Sequence, residues 1–225
     1  TCTWTGNLNV NTGASKNIHF IGAGETLTDI IDLRFYVPAS GSNIVELAYM
    51  SIGGSSQTGS IFSEKFRPAN NAGSKELDFH NLEISNRGPI GVIEGWRGVL
   101  HQNIFNCRSG QYGWYVHGYG DYDVVDPLMG TRNSLFFEDN LFNGCYHSIS
   151  GFCNSYIVFR YNNIIGSTHC VDVHGPSYNY CYYTTGNTND AGRLFENYNN
   201  IYFGDAACGA RLRSGSGIST NNTYL

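Results

Sequence analysis

The 225 residues are enough for one large domain, and only 14% are charged, against 28 Gly, 16 Tyr and 13 Phe; this balance excludes a helical protein rich in Lys, Glu, Ala and Leu and favours strands and turns. A formal net charge of -5 with scattered Lys and Arg excludes the basic footprint of a nucleic-acid binder. No apolar run approaches the length of about eighteen residues that marks a membrane-spanning helix.

In chain order, the runs NIHFIGAG (17–24) and NIVELAYMSIGG (43–54) read as early strand-and-turn units of weak register. A clearer unit then recurs around an asparagine: ELDFHNLEIS (76–85), GVLHQNIFN (98–106), LFFEDNLFN (135–143), IVFRYNNII (157–165), LFENYNNIY (194–202) and GISTNNTYL (217–225). Anchored on Asn81, Asn103, Asn140, Asn162, Asn199 and Asn221, the separations are 22, 37, 22, 37 and 22. The pattern is a basic period of 22 residues with an insertion on alternate turns. Such a period is too short for a βαβ unit of roughly 30 residues and suits one coil of three short strands. No single coil can bury its apolar face, so neighbours must stack in parallel ladders. The fold class expected is all-β, a parallel β-solenoid in a single domain over 1–225. The six asparagines are expected to turn inward and stack as an amide ladder.

A second landmark is a strand end closed by glycine, IEG (93–95), VHG (116–118), ISG (149–151) and VHG (173–175). With the aliphatic residue inward, alternation turns Glu94, His117, Ser150 and His174 outward as a column, with Tyr115, Ser148 and Asp172 beside it. Two long insertions leave the coil after His117 and His174, spanning 118–134 and 175–193. They carry Tyr119, Tyr122 and Tyr178 with Asp121, Asp123 and Asp126, the mixture of flat rings and acceptors that binds sugars. The expected substrate-binding set is therefore Tyr115, His117, Ser150, Asp172, His174, Tyr119, Tyr122 and Tyr178. If the flank is catalytic, the candidates are His117, Ser150, Asp172 and His174, in acid-base or nucleophilic roles. The alternative of solvent-facing polar residues at a turn stays open.

A metal shared by His117 and His174 is not expected, because two rungs separate them by nearly 10 Å while zinc binds nitrogen at about 2.0 Å. Calcium is the one cofactor considered, through Asp121, Asp123 and Asp126, although DYDVVD lacks the EF-hand pattern. Arg160 and Arg193 read first as surface partners of Glu138 and Glu196.

Seven cysteines without a CxxC pair fit an oxidising compartment, and the odd count leaves at least one unpaired within the chain. Cys170 to Cys181 is the expected bridge, because it would close the base of the second insertion.

The segment TCTWTGNLNVNTGASKNIHFIGAGET (1–26), with IVFRYNNII, VDVHG and GRLFENYNNIYFG, resembles pectate-lyase-like right-handed β-helix proteins over nearly the whole chain. The resemblance implies a right-handed coil whose first turn starts before Thr1. It implies a secreted, cell-surface or virion location, with polysaccharide as partner and a trimer or filament as the assembly. It does not carry a catalytic set. The calcium-binding Asp cluster and the RxPxxR-like motif of the lyases have no counterpart, since Arg67-Pro68 lacks a second Arg. Of the hydrolase motifs only VHG is reminiscent. The function expected is polysaccharide engagement along the loop-walled flank, with a lyase or hydrolase and a structural appendage subunit as alternatives.

Overall fold

The computed structural model describes residues 2–4, 8–11, 17–24, 28–30, 33–36, 43–53, 75–86, 89–94, 97–107, 111–117, 134–152, 155–174, 194–204, 209–213 and 215–225. Among these residues the chain is all-β, with no helix. It opens with β1 (Cys2–Trp4), β2 (Leu8–Asn11), β3 (Ile18–Ile21), β4 (Thr28–Ile30) and β5 (Leu33–Tyr36). Two long strands follow, β6 (Asn43–Gly53) and β7 (Lys75–Asn86). A three-strand cycle then repeats. Its first turn is β8 (Gly91–Glu94), β9 (Arg97–His101) and β10 (Ile104–Cys107), and its second is β11 (Trp114–His117), β12 (Leu135–Glu138) and β13 (Leu141–Asn143). The third is β14 (His147–Phe152), β15 (Tyr156–Arg160) and β16 (Asn163–Ile165), and the fourth β17 (His169–Val173), β18 (Leu194–Tyr198) and β19 (Ile201–Phe203). The last is β20 (Ala210–Leu212), β21 (Ser216–Thr220) and β22 (Thr223–Tyr224).

Every third strand pairs with its predecessor, and each described pairing is parallel. One ladder runs β9-β12-β15-β18-β21, a second β10-β13-β16-β19-β22, and the third β8-β11-β14-β17-β20. The long β7 pairs with both β9 and β10, so the first two ladders merge into one fifteen-stranded sheet. These long parallel sheets are consistent with a β-helix or solenoid. Leu135 pairs with Ile157, Leu141 with Asn163 and Ser150 with Asp172, each a shift of 22 residues. The two insertions fall between β11 and β12 and between β17 and β18, and 118–133 and 175–193 lie outside the described residues.

Alternation fills the interior. Phe79, Leu100, Phe137 and Phe159 follow one another from β7 down the first ladder, and Ile84, Phe105, Phe142, Ile164 and Tyr202 down the second, all buried. Phe105 and Phe142 stand 4.8 Å apart between ring centres, and Phe142 and Phe159 5.3 Å, both tilted and within the contact range of aromatic pairs.

The corner between the first two ladders explains the repeated asparagine. One residue of each corner takes a positive φ: Tyr49, Asn81, Gln102, Asp139, Tyr161, Asn199 and Asn221, between 52° and 58°. That break leaves backbone groups without a ladder partner, and the asparagine of the next rung supplies one. Asn140 Oδ1 accepts from Asn103 N at 3.0 Å while its Nδ2 donates to Leu100 O at 2.8 Å. Asn162 does the same for Asn140 N and Phe137 O, Asn200 for Asn162 N and Phe159 O, and Asn222 for Asn200 N and Asn197 O.

The inward column is therefore Leu82, Asn103, Asn140, Asn162, Asn200 and Asn222. The expectation holds for Asn103, Asn140 and Asn162 and fails for Asn81, Asn199 and Asn221, which are the left-handed residues one position earlier. The Asn-Asn doublets at 199–200 and 221–222 offer two alignments, and a shift of one residue changes the face.

Cys107 at the end of β10 and Cys145 after β13 form a disulfide between consecutive rungs. The sulfur of Cys170 is also in a disulfide, while Cys181, its expected partner, lies outside the described residues.

Candidate functional site

The outer face of the third ladder differs from an ordinary strand surface. On β14 and β17, alternation sends Ile149, Val171 and Val173 into the core and Ser150 and Asp172 to the opposite face. Ser150 and Asp172 are nevertheless both 0% exposed. Burial without partners would be costly for a carboxylate, and here the partners are dense. Arg213, following β20, donates from Nε to Asp172 Oδ1 at 2.9 Å and contacts Oδ2 through Nη2. His174 Nε2 lies 3.1 Å from Asp172 Oδ2, and His147 Nδ1 3.4 Å from the same oxygen. His147 Nδ1 is also 2.9 Å from Ser150 Oγ.

Two titrations are displaced by this packing. Burial would raise the Asp172 carboxyl, but the hydrogen bonds from His174 and Arg213 outweigh it and bring the pKa to about 2. Burial lowers His147 to about 4, assisted by the neighbouring His169, His174 and Arg213 and opposed by Asp172. At neutral pH the site is a carboxylate beside a neutral, buried imidazole.

Aromatic rings frame it. Tyr112 and Tyr115 stack at 4.9 Å, Phe152 and His174 at 4.1 Å, and Tyr146 and His147 at 4.5 Å. His169 meets His147 edge-on at 5.1 Å. Tyr112, Tyr115, Tyr146, His169 and His174 are partly exposed, so the cluster is buried at its centre and open at its rim.

The sequence-derived column needs one correction of register. Tyr115 pairs with Ser150 and Ser150 with Asp172, whereas His117 pairs with Glu94 and Phe152. His117 is therefore not beside Ser150. The glycine landmark misled because Gly151 lies inside β14, pairing with Val116 and Val173, and does not end the strand. Ser148, expected beside Asp172, reaches the buried Ser167 hydroxyl at 3.3 Å instead.

Tyr115, Ser150, Asp172 and His174 are thus brought together. Tyr119, Tyr122, Tyr178, Asp121, Asp123 and Asp126 lie outside the described residues, as does the His117 side chain. A serine-histidine-aspartate relay is not formed, because Ser150 and Asp172 approach the same nitrogen of His147.

Sequence reasoning missed His147, Arg213, His169, Tyr112 and Tyr146. A signal existed for two of them: His147 and His169 are 22 residues apart and pair directly, as do Ser150 and Asp172. Arg213 follows an insertion, so spacing alone could not place it. Arg160 meets Glu138 through Nε at 2.7 Å and Tyr198 at 2.7 Å, the surface partnership expected of it, and Arg193 lies outside the described residues.

No family model matches the chain, and neither a curated protein nor a solved structure does. No helix among the described residues is long and apolar enough to cross a membrane.

Proposed function

We propose that this protein is a right-handed parallel β-helix of the pectate-lyase-like type that engages a polysaccharide along the outer face of its third ladder. One observation carries the reading: partly exposed rings, Tyr112 stacked on Tyr115 and His174 backed by the buried Phe152, lie around the clamped Asp172 carboxylate. Sugars bind to such surfaces by stacking a ring face and by hydrogen bonding to fixed polar groups. The disulfide of Cys107 with Cys145 supports an extracellular setting.

A second reading, cleavage of the bound chain, is favoured by the Asp172 and His174 pair, whose 3.1 Å contact orients an imidazole as an acid or base. A lyase would release unsaturated, ultraviolet-absorbing ends.

The test is a glycan array followed by calorimetry on the best ligand. Replacing Tyr112 and Tyr115 together by Ala is expected to weaken binding at least tenfold with the circular dichroism unchanged. A ligand held with the same affinity and specificity by that variant would remove the third ladder as the binding face.

A further inference from the structure

We propose that His147, Asp172 and His174 form a binding site for a divalent transition metal of the zinc class. One nitrogen of each imidazole and one carboxylate oxygen lie within 4.8 Å of one another. They come from adjacent rungs: His147 starts β14, while Asp172 lies near the end of β17 and His174 directly follows it. Two imidazoles and a carboxylate are a donor set that suits zinc, copper or nickel and not calcium, which takes oxygen alone.

A second observation points the same way. His147 is 2% exposed, and its Nε2 is buried with no hydrogen-bond partner among the described residues. Its Nδ1 faces the Asp172 carboxylate and the Ser150 hydroxyl, where a ring N–H is the group that can donate. That leaves the lone pair on Nε2, sealed from water, which is the form of histidine that binds a metal. The remaining contacts match what supports ligands elsewhere: Arg213 holds both Asp172 oxygens, through Nε on Oδ1 and Nη2 on Oδ2, and ligating carboxylates are themselves hydrogen bonded. The guanidinium charge beside the site opposes a cation, so micromolar rather than tighter affinity is expected.

The site stands on its own geometry, and its failure would leave the sugar-binding reading intact. The full chain, freed of metal with a chelator and dialysed, is titrated calorimetrically with zinc chloride at neutral pH, with calcium chloride as comparison. One zinc per chain, no calcium, and at least a tenfold loss of zinc affinity in both His147→Ala and His174→Ala are expected. Because His147 is buried, His174→Ala is the deciding variant if His147→Ala does not fold. Cobalt chloride should give a visible spectrum of a nitrogen and oxygen site, without a thiolate charge-transfer band. Absence of zinc binding, unchanged affinity in His174→Ala, or a thiolate band showing that cysteines hold the metal would each overturn the proposal.

Discussion

The amide of Asn140 serves two backbone groups of the preceding corner, Asn103 N and Leu100 O, and is 1% exposed. Asn140→Ala removes both partners and leaves buried groups unmatched, each costing about 1–3 kcal/mol. Urea unfolding of this variant should show a loss of about 3 kcal/mol. Asn81→Ala is the control. Its side chain meets His80 Nδ1 at 2.9 Å, and its φ of 52° costs a non-glycine residue about 1 kcal/mol. A larger loss at Asn81 than at Asn140 would reject this account of the corner.

A second residue-scale expectation concerns pH. Glu46 joins two rungs by contacting His19 and, at 3.1 Å, His80 Nε2, while His80 stacks on His101 at 5.1 Å and meets Tyr49 edge-on. Hydrogen bonds from His19 and then His80 lower the Glu46 carboxyl below 4.5. Burial would lower His80, but its bonds to Asn81 and Glu46 and the charge of Asp78 raise it above 6.5. The His80 contribution is therefore full below 6.5 and lost as pH rises through its folded value. That of Glu46 is full above 4.5 and lost as pH falls through its folded value. The pair stabilises most between these limits. The urea midpoint should fall from about pH 5.5 to about pH 8.5 by more in the unmodified protein than in Glu46→Gln. Equal slopes would show that the pair is solvated and worth little.

At the scale of elements, strand approach is limiting. Gly98 begins the inner run of β9 at a φ of 118°, and a Cβ there would sit 2.1 Å from Leu77 O on the preceding rung. Gly98→Ala must strain the backbone and push two strands apart, so a loss of at least about 2 kcal/mol in chemical unfolding is expected. A value near zero would mean that the β7 to β9 register can slide. The Cys107 to Cys145 bridge ties β10 to the end of the following turn, after β13, across 38 residues. In the chain-entropy model such a loop is worth about 4 kcal/mol. The double Cys→Ser variant should lose about 2–4 kcal/mol of stability with its sheet content retained, read as the shift in urea midpoint beside far-ultraviolet dichroism.

Across the whole molecule, each rung contacts its neighbours, so stability is approximately a sum of rung and interface contributions. The last strands are the least covered: every residue of β21 and β22 is exposed, Ile218 at 51% and Tyr224 at 58%. Deleting 216–225 removes two sets of ladder pairs, β18 with β21 and β19 with β22. The shortened chain is expected to keep its sheet signal and its affinity at the third ladder, with a melting temperature lower by a few degrees. Loss of all cooperative unfolding would show that the terminal rung is part of the core.

The interval of 22 residues, the alternation of apolar side chains and the glycine-rich, charge-poor composition were enough to read an all-β chain of stacked parallel strands. Those features are local: a strand shows its buried face every second residue, and a repeat shows its length by recurrence. What the sequence could not set was register to the residue. An Asn-Asn doublet fits the corner in two ways, and only the corner's positive φ and its unpaired backbone groups select Asn200 over Asn199 and Asn222 over Asn221. The same limit displaced His117 from Ser150 by two residues, because Gly151 looked like a strand end and is a strand interior. Tyr115, Ser150, Asp172 and His174 were legible as one face. His147 showed only its 22-residue spacing to His169, and its contact with Asp172 depends on burial and ring packing. Arg213 was not legible at all, since it reaches Asp172 from 41 residues away. Both contacts arise when separate rungs stack, and the tertiary fold alone decides them.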